Sequence, residues 1–215
     1  MSDLLQSILP QQLLHAALRR RNALRAKFGG RAWAERDFAP PSPDHIKHRV
    51  LLRNGFPNAT WIETGTYLGD TTAQLSKNAK HVYSIEPEPK LFESAKKRFA
   101  SKSNVTIVHG TSEQQFPGVL EKVSGDVNFW LDGHYSAGLT FKGATDTPIA
   151  EELKAVGRNL KKFARVAVLV DDVSCFHPSH PSSASYPPID FLVDWAREHG
   201  LVWHIEHDIF VAKSR

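Results

Sequence analysis

Sulfur is almost missing from this chain: Cys175 is its one thiol and Met1 its one methionine. A single cysteine excludes an internal disulfide and fits a reducing compartment. Long apolar runs are also missing. The longest, such as Val166-Ala167-Val168-Leu169-Val170, reach only a few residues, so no membrane span is expected. At the N-terminus the arginines follow the apolar residues, which is the wrong order for a secretory signal. A cytoplasmic protein is therefore expected. There is no internal repeat. With 215 residues the chain can bury one α/β core and carry a short appendage.

The net charge of +4 is unevenly spread. Residues 1–50 hold nine Lys/Arg against four Asp/Glu, and the remaining residues hold eighteen against nineteen. The basicity thus belongs to the N-terminal segment. Its Arg19-Arg20-Arg21 run suits an acidic partner, a nucleic acid or a membrane surface, but a solvated helix face is the commoner use of such a run.

Apolar spacing predicts helix over residues 3–28, interrupted at Pro10 and stopped by Gly29-Gly30. A Pro40-Pro41-x-Pro43 loop and a short helix from Asp44 to about Asn54 follow. From Ala59 strands and helices alternate. Strands are expected at Ala59–Glu63, His81–Glu86, Val105–His109, Val127–Leu131 and Val166–Val170, and helices at Pro89–Ala100, Ile149–Leu160 and Asp190–His199. A tight terminal hairpin, Leu201–Glu206 and Asp208–Lys213, closes the chain without an Asn-Gly turn. The expected fold is α/β: a Rossmann-like, doubly wound, mostly parallel seven-stranded sheet with a C-terminal antiparallel hairpin and an N-terminal helical cap. The expected division is a cap over residues 1–45 and a catalytic domain over 46–215.

The chain is organised around Trp61-Ile62-Glu63-Thr64-Gly65-Thr66-Tyr67-Leu68-Gly69-Asp70-Thr71-Thr72. A strand, a glycine turn and a helix start make a cradle for a small cofactor, because glycine lets backbone approach ligand closely. Dinucleotide folds use G-x-G-x-x-G; here the spacing is E-x-G-x-x-x-G, with Tyr67 where the second glycine would stand. Glu63, Gly65, Thr66, Gly69 and Thr71 are the cofactor candidates, though an ordinary glycine turn is the competing reading. Glu86 ends the next strand roughly 20 residues on, where a carboxylate can bind both ribose hydroxyls. Ser112, after the third strand, lies where an adenine edge would be met.

Strand 4 ends in Leu131-Asp132-Gly133-His134-Tyr135 and strand 5 in Val170-Asp171-Asp172. If the two strands are neighbours, three carboxylates converge at the ligand-binding edge of the sheet. Clustered carboxylates repel unless a cation or proton is shared, and an oxygen-only set selects a hard ion such as Mg²⁺. Asp132, Asp171 and Asp172 are thus candidate metal ligands. The alternative is one cofactor acid, one helix cap and one solvated acid. His134, two residues past Asp132, is the candidate general base. His177 and His180 lie in a Pro/Ser-rich segment, 174–188, that reads as a lid or substrate contact, or as a solvated loop. Gly138–Asp146 is a second candidate border. Trp195 and Trp203 are assigned to the core.

Together WIETGTYLGDTT, VYSIEPEP, FWLDGHYSAG and VLVDDV resemble a family of class I S-adenosylmethionine (SAM) methyltransferases related to the macrocin O-methyltransferases. The resemblance runs from about Pro43 to the C-terminus. It implies SAM as cofactor, with Asp132 touching it, and Mg²⁺ on Asp132, Asp171 and Asp172. It also places the base at His134, where some relatives carry aspartate. The implied reaction is O-methylation of a sugar or other polyhydroxylated small molecule. Two alternatives remain: a nucleic-acid methyltransferase, disfavoured because no Asn/Asp-Pro-Pro-Tyr motif is present, and a non-catalytic SAM-binding or assembly protein. Homo-oligomerisation through the N-terminal helices is a further expectation.

Overall fold

A computed structural model describes residues 11–133 and 147–215. His134 and Gly138–Asp146 lie outside the described residues. The elements are α1 (Gln11–Ala34), α2 (Asp44–Asn54), β1 (Thr60–Thr64), α3 (Asp70–Leu75), β2 (His81–Glu86), α4 (Pro89–Arg98) and β3 (Val105–His109). After these come α5 (Ser112–Glu121), β4 (Gly125–Leu131), α6 (Ile149–Asn159), β5 (Phe163–Val170), α7 (Ile189–Glu198), β6 (Val202–Glu206) and β7 (Ile209–Lys213).

The seven strands form one sheet in the order β3-β2-β1-β4-β5-β7-β6. The first five are parallel, while β7 runs antiparallel to β5 and β6 antiparallel to β7. Consecutive crossovers run outward on both sides of β1, so β1 and β4 flank the switch point where open α/β sheets bind ligands. Both are buried over their last residues, as strands covered on two faces must be. One core face gathers Ile62, Phe129, Leu153 and Val168, and the other Leu51, Trp61, Trp130 and Leu169.

Several elements depart from sequence expectation for local physical reasons. α1 continues through Gly29 and Gly30 to Ala34. The helical cost of two glycines is about 2 kcal/mol, and continuing the helix lets Trp33 bury to 7% exposure and donate its indole N–H to the Ala39 carbonyl. α5 has no clear pattern in the sequence, because Pro117 and Gly118 interrupt it; Phe116, Val119 and Leu120 are nevertheless buried. α6 starts at Ile149 with Pro148 as its N-cap residue, while the Thr147 hydroxyl accepts the Ile149 N–H at 3.4 Å. Trp195 is buried, but Trp203 is 38% exposed, since β6 is the edge strand and its ring only stacks on Phe210. The tight hairpin has His207 and Asp208 at φ 50° and 67°. Asp208 can hold that conformation because its carboxylate accepts from the Ser174 N–H and hydroxyl, at 2.7 and 3.0 Å. Among the described residues no helix is long and apolar enough to cross a membrane.

Candidate active site

The glycine turn is shaped by close approach of backbone to backbone. Gly65 has φ +85°, and a Cβ there would lie 2.7 Å from the Asp132 carbonyl oxygen. Only glycine lets β1 and β4 end so close together. Gly69 has φ +78° and starts α3; a Cβ there would meet the Phe99 ring at 2.7 Å. Tyr67, between them, is a non-glycine residue at φ +49°. Its N–H donates to Glu86 Oε2 at 2.7 Å, while the Glu88 N–H donates to Oε1 at 3.0 Å. Glu86 is 3% exposed, and burial pushes its pKa up to about 7. A ribose at Glu86 would therefore share these oxygens with the turn that covers them.

Glu63 does not face the cavity. It is fully buried beneath the turn, where its Oε2 accepts from Thr72 at 2.5 Å and Ser84 at 2.6 Å. Burial raises its pKa to about 7. The side chain supports the turn from below, a correction to its expected contact with cofactor. Thr66 is also buried and bonded to Ser84 at 2.6 Å, whereas Thr71 stays partly exposed beside His48 at 3.2 Å.

A cavity of about 650 Å³ opens above this turn. Its floor is Gly65, Thr66, Tyr67, Thr71 and Asp132; its opposite wall is Trp33 and Arg36 of the N-terminal segment. The volume is in the range of sites that enclose a small cofactor. α1 reaches the body through Leu14 and Leu18, which pack with Leu68 and Leu91, and through His15, which bonds to Ser94 at 2.9 Å. The N-terminal segment thus contributes one wall of the cavity, with Arg36 as its basic lining residue among the described residues.

The three acids do converge. β4 and β5 are neighbours in register, and Asp132, Asp171 and Asp172 bring carboxylate oxygens within 4.8 Å of one another. The Asp132 N–H donates to the Thr64 hydroxyl and carbonyl, which fixes it at the switch point. A cation suits this cluster, and the chain itself supplies one. Lys47 of α2 places Nζ 2.6 Å from Asp171 Oδ2 and 3.1 Å from Asp172 Oδ1. Burial would lower the lysine pKa, but Asp171, Asp172 and Asp132 outweigh it and hold Lys47 charged. Asp171 Oδ1 remains buried without a partner.

Two groups at the site are not anticipated by the sequence reading. No local signal marks Lys47, since its partners lie 124 and 125 residues away. Glu152 does carry a signal: it shares the α6 face of Ile149, Leu153 and Val156, where an acid is out of place. It is 1% exposed and bonded to Thr64 and Ser112, and burial pushes its pKa to about 8. Ser112 accordingly turns inward to Glu152 and is 6% exposed. In the 174–188 segment the histidine rings serve their own turns: His177 bonds Ser179 at 2.7 Å and His180 accepts from the Ser182 N–H at 3.2 Å.

The sheet order, the glycine turn and the cavity at the switch point define a class I SAM-dependent methyltransferase. The family model for ribosomal RNA adenine dimethylase matches residues 43–154, just over half of the chain. The chain belongs to that family. Among solved structures, the N-methyltransferase NodS from Bradyrhizobium japonicum WM9 is 15% identical with a TM-score of 0.52, covering 79% of this chain and 94% of its own. Aeropyrum pernix fibrillarin with natively bound SAM is 15% identical, TM-score 0.48, covering 77% and 74%. An rRNA methylase from Streptococcus thermophilus is 14% identical, TM-score 0.47, covering 81% and 95%. The narrower macrocin-like resemblance finds no support in these comparisons.

Proposed function

We propose that the chain transfers the methyl group of SAM to a nucleic acid, with ribosomal RNA the first substrate to try. The observation that carries this is the family match over 43–154, which includes the glycine turn and Asp132. The fold adds a physical rationale. The N-terminal segment supplies Trp33 and Arg36 to the cavity wall, and its Arg19-Arg20-Arg21 run lies on the same helix as Trp33, outside the cavity, where phosphates of an incoming strand would meet it. Tyr67, 37% exposed at the cavity floor, offers a ring on which an unstacked base can lie. Asp132 and Tyr135 also keep the first and last members of an Asn/Asp-Pro-Pro-Tyr pattern, with Gly133-His134 in place of the prolines. An acid at the first position can accept a hydrogen bond from an exocyclic amino group.

The second reading is O-methylation of a sugar or natural product, with His134 as base and the three acids around the acceptor. The convergence of those acids favours it. Its Mg²⁺-assisted form requires Lys47 to leave the cluster, so the residues as arranged do not fit a metal and no step is derived through one.

The test is transfer of labelled methyl from SAM to unmodified ribosomal RNA and, separately, to a panel of sugars and phenols, each with and without chelator. Label in RNA that declines with added salt supports the proposal. Label confined to small hydroxyl compounds overturns it in favour of the second reading.

A further inference from the structure

The position of Lys47 decides what kind of site the acid cluster is. Its side chain is 14% exposed, that of Asp171 is 4% exposed, and two of its three ammonium protons are directed at Asp171 and Asp172. A divalent ion bound by all three acids would occupy the same few ångströms, because their donor atoms lie within 4.8 Å of one another. Two cations held that close, out of bulk water, repel strongly. We propose that Lys47 is the resident cation of this cluster, in the place a metal would take, and that the chain binds no Mg²⁺ or Mn²⁺ there while Lys47 is present.

Lys47 is then a positioning residue. It neutralises part of the charge of Asp171 and Asp172, so that both can lie beside Asp132 at the cofactor cavity. It is carried by α2, whose Asp44 and His48 also line that cavity. Docking of α2 and assembly of the acid cluster are consequently one event. An ammonium fixed by the chain, unlike a metal, cannot be removed by a chelator. Its two ion pairs are with the chain's own carboxylates, so the proposal does not depend on which acceptor is methylated.

Calorimetric titration of Mn²⁺ and Mg²⁺ into the full chain tests it, using wild type, Lys47→Met, Lys47→Arg and Lys47→Met/Asp171→Asn. Wild type and Lys47→Arg are expected to give no saturable binding. Lys47→Met should gain a single site, at least about tenfold tighter than any wild-type binding, and the added Asp171→Asn should abolish it. The same ions should raise the melting temperature of Lys47→Met and leave that of wild type unchanged. If Lys47→Met folds only when Mn²⁺ is supplied, the proposal stands. Mn²⁺ binding equal in wild type and Lys47→Met, or absent from a folded Lys47→Met, overturns it. Saturable wild-type binding that Asp171→Asn alone abolishes overturns it as well.

Discussion

Glu152 shows how a single residue can carry a pH dependence for the whole fold. In the folded chain it keeps its proton up to about pH 8, against 4.5 for an ordinary glutamate. Between those values the folded state binds more protons than the unfolded state, so stability falls as pH rises through this window. Glu152→Gln removes that titration. Relative to wild type it should be more stable at pH 8.5, by on the order of a few kcal/mol, and gain little at pH 4.5. Urea melts across that range measure the difference; parallel profiles would contradict it. Glu63 and Glu86, each raised to about 7 by burial, add to the same trend in wild type. At this scale the sequence is partly readable. Glu86 and Asp132 stand where strand ends place them, because a strand's last residue has few alternatives. Glu63 is misplaced by the sequence reading, because alternation does not reveal that Thr72 and Ser84 draw its carboxylate inward.

Among the elements, α1 connects composition to function. Spacing alone makes it a capped helix ending at two glycines, yet burial of Trp33 against the Ala39 carbonyl and the His207 ring keeps it helical to Ala34. Its placement brings the basic segment to the cavity, which composition could not show. Replacing Arg19, Arg20 and Arg21 by alanine should weaken RNA binding several-fold. The slope of log affinity against log salt should fall by up to about one for each phosphate that an arginine no longer neutralises. SAM affinity should stay within about twofold, because these arginines do not line the cavity. Filter binding at several salt concentrations, beside SAM calorimetry, separates the two. An unchanged salt slope would remove α1 from the RNA surface. α5 escapes sequence reading for the opposite reason: Pro117 and Gly118 are breakers by propensity, but Phe116 and Leu120, both 1% exposed, supply the packing that decides.

For the molecule as a whole, strand–helix alternation and the closing hairpin are enough to give the sheet and its one reversed strand, β7, since each is a local pattern. The neighbouring of β4 and β5, only a condition in the sequence reading, is met by the fold, and with it comes the convergence of Asp132, Asp171 and Asp172. The counter-cation does not. Lys47 meets the acids only because α2 packs across the sheet, bringing together residues more than half the chain apart. The central claim is that the turn at Gly65 is a SAM site, and it is tested most directly by calorimetric titration of SAM into wild type and Gly65→Ala. A methyl group at Gly65 would press on the Asp132 carbonyl at 2.7 Å from a φ of +85°. That position costs roughly 1–3 kcal/mol, or about tenfold or more in affinity if the turn shifts. One SAM bound per chain in wild type, weakened at least about tenfold in a folded Gly65→Ala, is the predicted result. No SAM binding by wild type, or equal binding by both, would contradict the account.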